Sequence, residues 1–298
     1  MQILFGVASE DDPAVKVVRE RLKADAIVCG ESLGPNAKVS TLAQLEPLIQ
    51  HELVIISDAD VAVPPDFLSR IAGFVESERP LVASCLYRLS GARNLAMRIE
   101  EFMANSDFWS QVLQSLALKP MDFALGAAMT ITRSELTLIG GFRAIVDYLA
   151  DDFQLGNRAN GKVALCPLIV ECRSSAMTWR QVWAHQLRWV RTIRACQPVP
   201  FFFSILSNPT LWPMAWAVSS GAWLPAIGML VLRGIGGAWL ESKFTRRFIA
   251  SSFILAPLSD LLRSLLWLLS FMGNRIYWGG KWFRVISGGK LVPETTGG

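Results

Sequence analysis

Short apolar runs alternate with stretches of helical period through residues 1–176, and long apolar runs take over after residue 200. The short apolar runs at 3–7, 26–29, 53–57, 81–85, 127–132 and 163–170 read as strands. Between them, 12–22, 40–50, 65–76, 95–118, 134–138 and 151–160 carry polar residues at helical spacing and read as helices. Loops marked by Gly, Pro, Ser or Asn fall at 30–37 and 89–93. Strands alternating with helices predict an α/β domain with crossover connections, and no internal repeat interrupts it.

Residues 178–194, TWRQVWAHQLRWVRTIR, put Trp179, Trp183, Trp189 and Ile193 against Arg180, Arg188, Arg191 and Arg194. An aromatic face beside a cationic one suits a helix lying at a membrane surface. The apolar segments 200–219, 221–240 and 248–272 follow, each near the ~20 residues that cross a hydrocarbon core. Pro209 and Pro213 break the first, so two spans with a re-entrant piece and three spans both fit. Arg233, Asp260 and Arg263 within these segments are costly in lipid and are expected to face protein, water or headgroups. The expected organisation is therefore a domain at 1–176, an interface helix at 177–199, and a membrane region with a basic tail at 200–298.

Composition agrees, since 52% hydrophobic residues and a mean hydropathy of +0.35 exceed what an ordinary soluble enzyme carries. Acidic residues recur from Glu10 to Glu171 and vanish until Glu241. The net charge of +4 is modest, and the late basic residues flank apolar runs, which suits anionic headgroups and argues against nucleic acid. Five cysteines without C-x-x-C pairing argue against a disulfide framework or a zinc site and favour a reducing, cytosol-facing location.

Three clusters carry chemistry. In LVIISDADV an apolar strand runs into Asp58 and Asp60, whose side chains, two residues apart, point the same way. Such a pair suits Mg²⁺ or Mn²⁺, though D-x-D at a strand end is also an ordinary turn. In LADDF, Asp151 and Asp152 open a helical stretch, where they either cap it or supply a general base. In HQLRW, Arg188 is shaped for a diphosphate and Trp189 for a sugar ring or lipid, unless the helix is simply a cationic membrane-surface element.

In this order, SDAD, LADD and HQLRW followed by hydrophobic segments resemble the inverting, metal-dependent GT-A transferases of glycosyltransferase family 2. They resemble more closely the ceramide glucosyltransferases of family 21, and within those the bacterial hopanoid-biosynthesis glycosyltransferases, through LADDFQLG, HQLRWVRTIRA and SFMGNRIYW. SEDDPAVKVV and GPNAKVSTL resemble two further family segments. The resemblance covers nearly the whole chain and implies transfer of a hexosyl group, N-acetylglucosamine in the hopanoid branch, from a UDP-sugar to a lipid hydroxyl. The alternative acceptor is ceramide, with glucose as the sugar; a catalytically inactive membrane scaffold is the alternative of another class.

Carried over residue by residue, the resemblance implies that Asp12 and Lys38 lie with the uridine diphosphate, and that Asp58 and Asp60 hold the diphosphate and its metal. Asp152 becomes the base, with Asp151 where the family has Glu. Arg188 steadies the leaving diphosphate, Trp189 borders the acceptor, and Gly126 in FALGAAMTITR matches a small residue beside the acceptor channel. His185 stands where the Q/R-x-x-R-W pattern has Gln or Arg. Family members also carry an N-terminal membrane helix and a first strand without counterpart here, so the chain reads as N-terminally incomplete. The implied location is a bacterial inner membrane with the catalytic domain facing the cytoplasm.

Overall fold

A computed structural model describes residues 1–160 and 162–294. The chain opens with β1 (Phe5–Val7), α1 (Pro13–Arg21), β2 (Ala26–Val28), α2 (Ala37–Leu45), β3 (Leu53–Ser57), β4 (Val61–Ala62) and α3 (Phe67–Glu78). It continues through β5 (Val82–Ser90), α4 (Leu95–Phe102), α5 (Trp109–Leu118), β6 (Ala128–Thr132), α6 (Arg133–Leu138), α7 (Asp151–Arg158) and β7 (Val163–Arg173). Then come α8 (Trp179–Cys196), α9 (Pro198–Phe203), α10 (Leu211–Ser220), α11 (Trp223–Thr245) and α12 (Ser251–Ser270), and β8 (Arg275–Trp278), β9 (Lys281–Val285) and β10 (Leu291–Pro293) close it.

A mixed five-stranded sheet in the order β3-β6-β5-β7-β4 forms the centre, with β5 and β7 parallel and the other pairs antiparallel. Val82 to Cys85 of β5 are buried without alternation, as expected of a strand covered on both faces. The run at 3–7 does not join this sheet. Its residues 5–7 pair in parallel with β2 in a separate two-stranded sheet, Ile3 is exposed, and Gly6 packs close to Thr41 and Leu45 of α2.

The single helix expected at 95–118 is α4 and α5 joined by a π-helical turn, Met103–Phe108. Asn105 in that turn accepts from the Leu89 amide at 2.8 Å and donates to the Leu89 carbonyl at 2.9 Å, completing the exposed hydrogen-bonding groups at the end of β5. A widened turn lets one helix bind the sheet there without breaking.

The segment 200–219 is not one helix. Pro198 starts α9, a 3-10 turn Ser204–Ser207 follows, and Asn208 Oδ1 then accepts from Thr210 N and Leu211 N as α10 begins. By length and composition, α11 and α12 are able to cross a membrane. Arg233, Asp260 and Arg263 do meet protein: Arg233 Nε lies 2.8 Å from Asp260 Oδ2, Arg233 also bonds Asp107 in the π-helical turn, and Arg263 lies 3.7 Å from Asp107.

The basic segment after α12 folds as the antiparallel sheet β8-β9-β10. Gly279 and Gly280, at φ 55° and 79°, make the two-residue turn between β8 and β9, a conformation that glycine adopts without strain. Ile276, Phe283, Val285 and Leu291 form its small core against Leu149 and Ala195.

Gly156 in α7 lies against the backbone of Phe123 and Ala124, where a Cβ would collide. Gly156→Ala is expected to destabilise the fold by about 1–3 kcal/mol, read as a lower melting temperature in detergent.

Candidate active site

The end of β3 sets the first acids. The Asp58 amide donates to Ala127 O at 3.3 Å, placing Asp58 beside the start of β6, and Val61 N bonds Asp58 O at 3.2 Å to close a tight turn. Asp60 lies inside that turn, its carbonyl accepting from Arg173 N at 3.0 Å at the end of β7. The turn and the acidic pair therefore coexist.

Helix α2 delivers Lys38. Asn36, almost fully buried, caps the helix by accepting from Val39 N at 3.1 Å, and its amide donates to Tyr148 O at 2.7 Å. One side chain thus starts α2 and holds it against the loop that leads into α7. As a result, Lys38 Nζ stands 2.7 Å from Asp58 Oδ1 and 2.9 Å from Asp151 Oδ2. One ammonium thus bridges a carboxylate at the end of β3 and a carboxylate at the start of α7.

Asp152 follows in the first turn of α7. Its Oδ1 accepts from Phe153 N at 2.7 Å, and its carbonyl accepts from Ala124 N at 3.2 Å. A Cβ at Gly126 would lie 3.1 Å from Asp152 Oδ2, so the glycine leaves this carboxylate room. Neither acid caps the helix through its side chain, because Ala150 occupies the N-cap.

The charges are interdependent. Burial alone would lower the Lys38 pKa, but the carboxylates of Asp151 and Asp58 outweigh it and hold the ammonium above its ordinary value. Burial pushes the Asp58 carboxyl up; Lys38 opposes this, while Asp151 and Asp60 add to it. Asp152 is pushed up to about 6, first by burial and then by the negative charge of Asp151, with Lys38 pulling the other way. A carboxylate of that pKa is suited to accept a proton near neutral pH.

The HQLRW segment sits on α8, which opens with a capping box between Thr178 and Gln181. His185 Nδ1 lies 2.7 Å from Glu100 Oε1, Gln186 Nε2 donates to the same oxygen at 2.9 Å, and Trp189 meets the His185 ring edge-on. These contacts fix α8 on α4. Arg188 makes no side-chain hydrogen bond among the described residues; burial lowers its pKa and the nearby Glu100 counters this. No bond joins Arg188 or Trp189 to the acidic cluster among the described residues.

Asp12 is elsewhere. It caps α1, its Oδ1 accepting from Ala14 N at 2.9 Å, and it takes no part in the Lys38 cluster. Three features had no sequence signal: the Asn36–Tyr148 tie, the buried Glu100 beneath His185, and the hydrogen bond from Gln154 Nε2 to Gly288 O at 2.8 Å that docks the last sheet on α7. Each joins residues more than 80 positions apart.

Residues 1–291 match the sequence family described as glycosyl transferase family 21. The chain belongs to that family. It is a glycosyltransferase, with the mixed α/β sheet and following apolar helices expected of this class. Among solved structures, this family 21 chain is similar to the mannosyltransferase PcManGT from Pyrobaculum calidifontis, in complex with GDP-Man and Mn2+, at 19% identity and a TM-score of 0.48, over 88% of this chain and 78% of that one. It is also similar to S. aureus TarS 1-349 in complex with UDP-GlcNAc, at 12% identity and a TM-score of 0.41, over 99% and 90%.

No cluster of three or more His, Cys, Asp or Glu ligands converges among the described residues. Asp58 and Asp60 are hard oxygen donors, a type that suits a hard divalent ion completing its shell with diphosphate oxygens and water. The Lys38 ammonium already neutralises part of that charge.

Proposed function

We propose that this family 21 transferase moves a hexosyl group, N-acetylglucosamine, from a UDP-sugar to the hydroxyl of a membrane lipid, a hopanoid polyol, with inversion at the anomeric carbon. The observation that supports it most is the Lys38 bridge, which joins the end of β3 to the start of α7 and sets Asp152 beside the small Gly126.

In this reading the acceptor hydroxyl approaches over Gly126 toward Asp152. Asp152 takes its proton as the oxygen bonds to the anomeric carbon and the bond to the UDP oxygen breaks. One displacement inverts the centre, and UDP leaves with the bonding electron pair. Lys38 places positive charge where the diphosphate gains negative charge, and Arg188 at the side of α8 supplies more. A divalent ion held by Asp58 and Asp60 supplies Lewis-acid stabilisation of the diphosphate when bound. Trp189 and Asp151 border the acceptor, and Asp12 contributes to nucleotide binding through the β1–α1 region.

The test is UDP release by the detergent-purified chain. We expect release from UDP-N-acetylglucosamine to require a lipid polyol, to stop with EDTA and to return with Mn²⁺ or Mg²⁺. Release with ceramide and UDP-glucose alone would transfer the reading to a glucosylceramide synthase. No release with either pair would leave a lipid-binding scaffold.

A further inference from the structure

Each of the two long apolar helices is anchored to the catalytic domain at several levels. Ser252, in the first turn of α12, bonds Arg98 of α4 at 2.8 Å. Ser259, two turns on, bonds Asp107 at 2.7 Å. Leu255, Ala256 and Leu266 pack in one cluster with Ile99 and Phe102 of α4 and with Leu187 and Val190 of α8. Just past the helix, Gly273 O and Asn274 Oδ1 accept from Arg194 near the end of α8. A 20-residue helix is about 30 Å long, the thickness of a hydrocarbon core, and α12 follows α4 and then α8 over that whole length.

The second helix follows the same face. In α11, Arg233 bonds Asp107 and Asp260, Arg98 holds Glu241 with two bonds at 2.7 and 2.9 Å, and Phe244 stacks on Trp109. After α12, the last sheet returns to the catalytic loop, where Leu149 N bonds Gly289 O at 3.0 Å and Leu291 N bonds Asp147 O at 2.8 Å. Had α12 crossed a bilayer, α8 alongside it would be carried to the same depth with Arg180, Arg188, Arg191 and Arg194, against the cost of charge in hydrocarbon.

We infer that α11 and α12 lie in the plane of the membrane, embedded in one leaflet of an anionic bilayer, and that neither crosses it. The outward face fits that occupant. Leu224, Leu232 and Trp239 of α11 and Ile254, Leu258 and Leu268 of α12 are exposed, and Leu224 and Ile254 reach 82% and 72%. Lys243, Arg246 and Arg247 are exposed at one end of this face, where anionic headgroups would meet them. The apolar area is large for a water-facing surface and is bordered by indoles and cations, the arrangement of an interfacial helix. The membrane then holds the domain on its surface, whatever sugar it transfers.

The test uses the full chain in sealed vesicles containing phosphatidylglycerol, with the catalytic domain outward. Ser77→Cys on α3, Ser219→Cys before α11, Ser251→Cys where α11 has turned into α12 and Lys281→Cys after α12 are each exposed polar positions. A membrane-impermeant maleimide added outside is expected to label all four, counted above the unsubstituted chain. Labelling of Ser251→Cys or Lys281→Cys only after the vesicles are opened would overturn the proposal, the first by showing that α11 crosses and the second by showing a net crossing. Release of the chain by an alkaline carbonate wash would also overturn it, since the leaflet would then not be the occupant.

Discussion

Asp152→Asn is expected to reduce the turnover of sugar transfer by roughly 100- to 10,000-fold, the range for loss of a general base, while UDP-sugar binding is retained. The amide keeps the size of the carboxylate and the bond from Phe153 N, but it cannot take the acceptor's proton. Single-turnover transfer and calorimetric titration with UDP-sugar separate the two effects. An Asn variant with wild-type turnover would remove Asp152 from the role. The pH profile gives a second readout: with the carboxyl pushed up to about 6, the wild-type rate should fall as pH drops through that value. Stability moves in the opposite sense. A carboxyl whose folded pKa is raised favours folding while protonated, and it loses that advantage as pH rises from its unfolded value, near 4, to about 6. Asp152→Asn should therefore melt at the same or a higher temperature than wild type at pH 7.5, although it is inactive.

Arg233→Ala is expected to produce the largest loss of stability, about 3–5 kcal/mol, because it leaves buried carboxylates without their cation. Arg233 bridges Asp107 and Asp260, and the side chains of both acids are almost wholly buried. The loss should appear as a lower melting temperature in detergent and faster proteolysis between α10 and α12. Arg233→Ala together with Asp260→Asn should recover part of it, since one uncompensated charge is then gone. Equal stability of Arg233→Ala and wild type would show that water or headgroups replace the arginine.

The strands were legible where apolar runs are dense. β3 begins and ends where the sequence places it, at 53 and 57, and β6 and β7 start within one residue of expectation. β5 and β7 run on to Ser90 and Arg173 because each completes the other's hydrogen-bond ladder past the last apolar residue, and that pairing is not local. In the final sheet, Trp278-Gly279-Gly280-Lys281 is a hairpin signal, while the cations around it mask the apolar alternation of its strands.

The candidate site divides in the same way. The pair Asp58 and Asp60, the pair Asp151 and Asp152, and Lys38 at a helix start are legible as residue types at recognisable spacings. That Asp12 caps α1 through its side chain is a local contact of the same kind.

By itself the sequence determined the α/β order, the family and the apolar character of the last third, because local propensity, periodicity and ordered motifs are written in neighbouring residues. Tertiary structure alone decided that one lysine joins Asp58 to Asp151, that Glu100 carries His185, and that Arg233 ties the apolar helices to the catalytic domain. Those contacts depend on which distant groups a buried charge can reach. Desolvation makes that choice energetically decisive, and no local pattern encodes it.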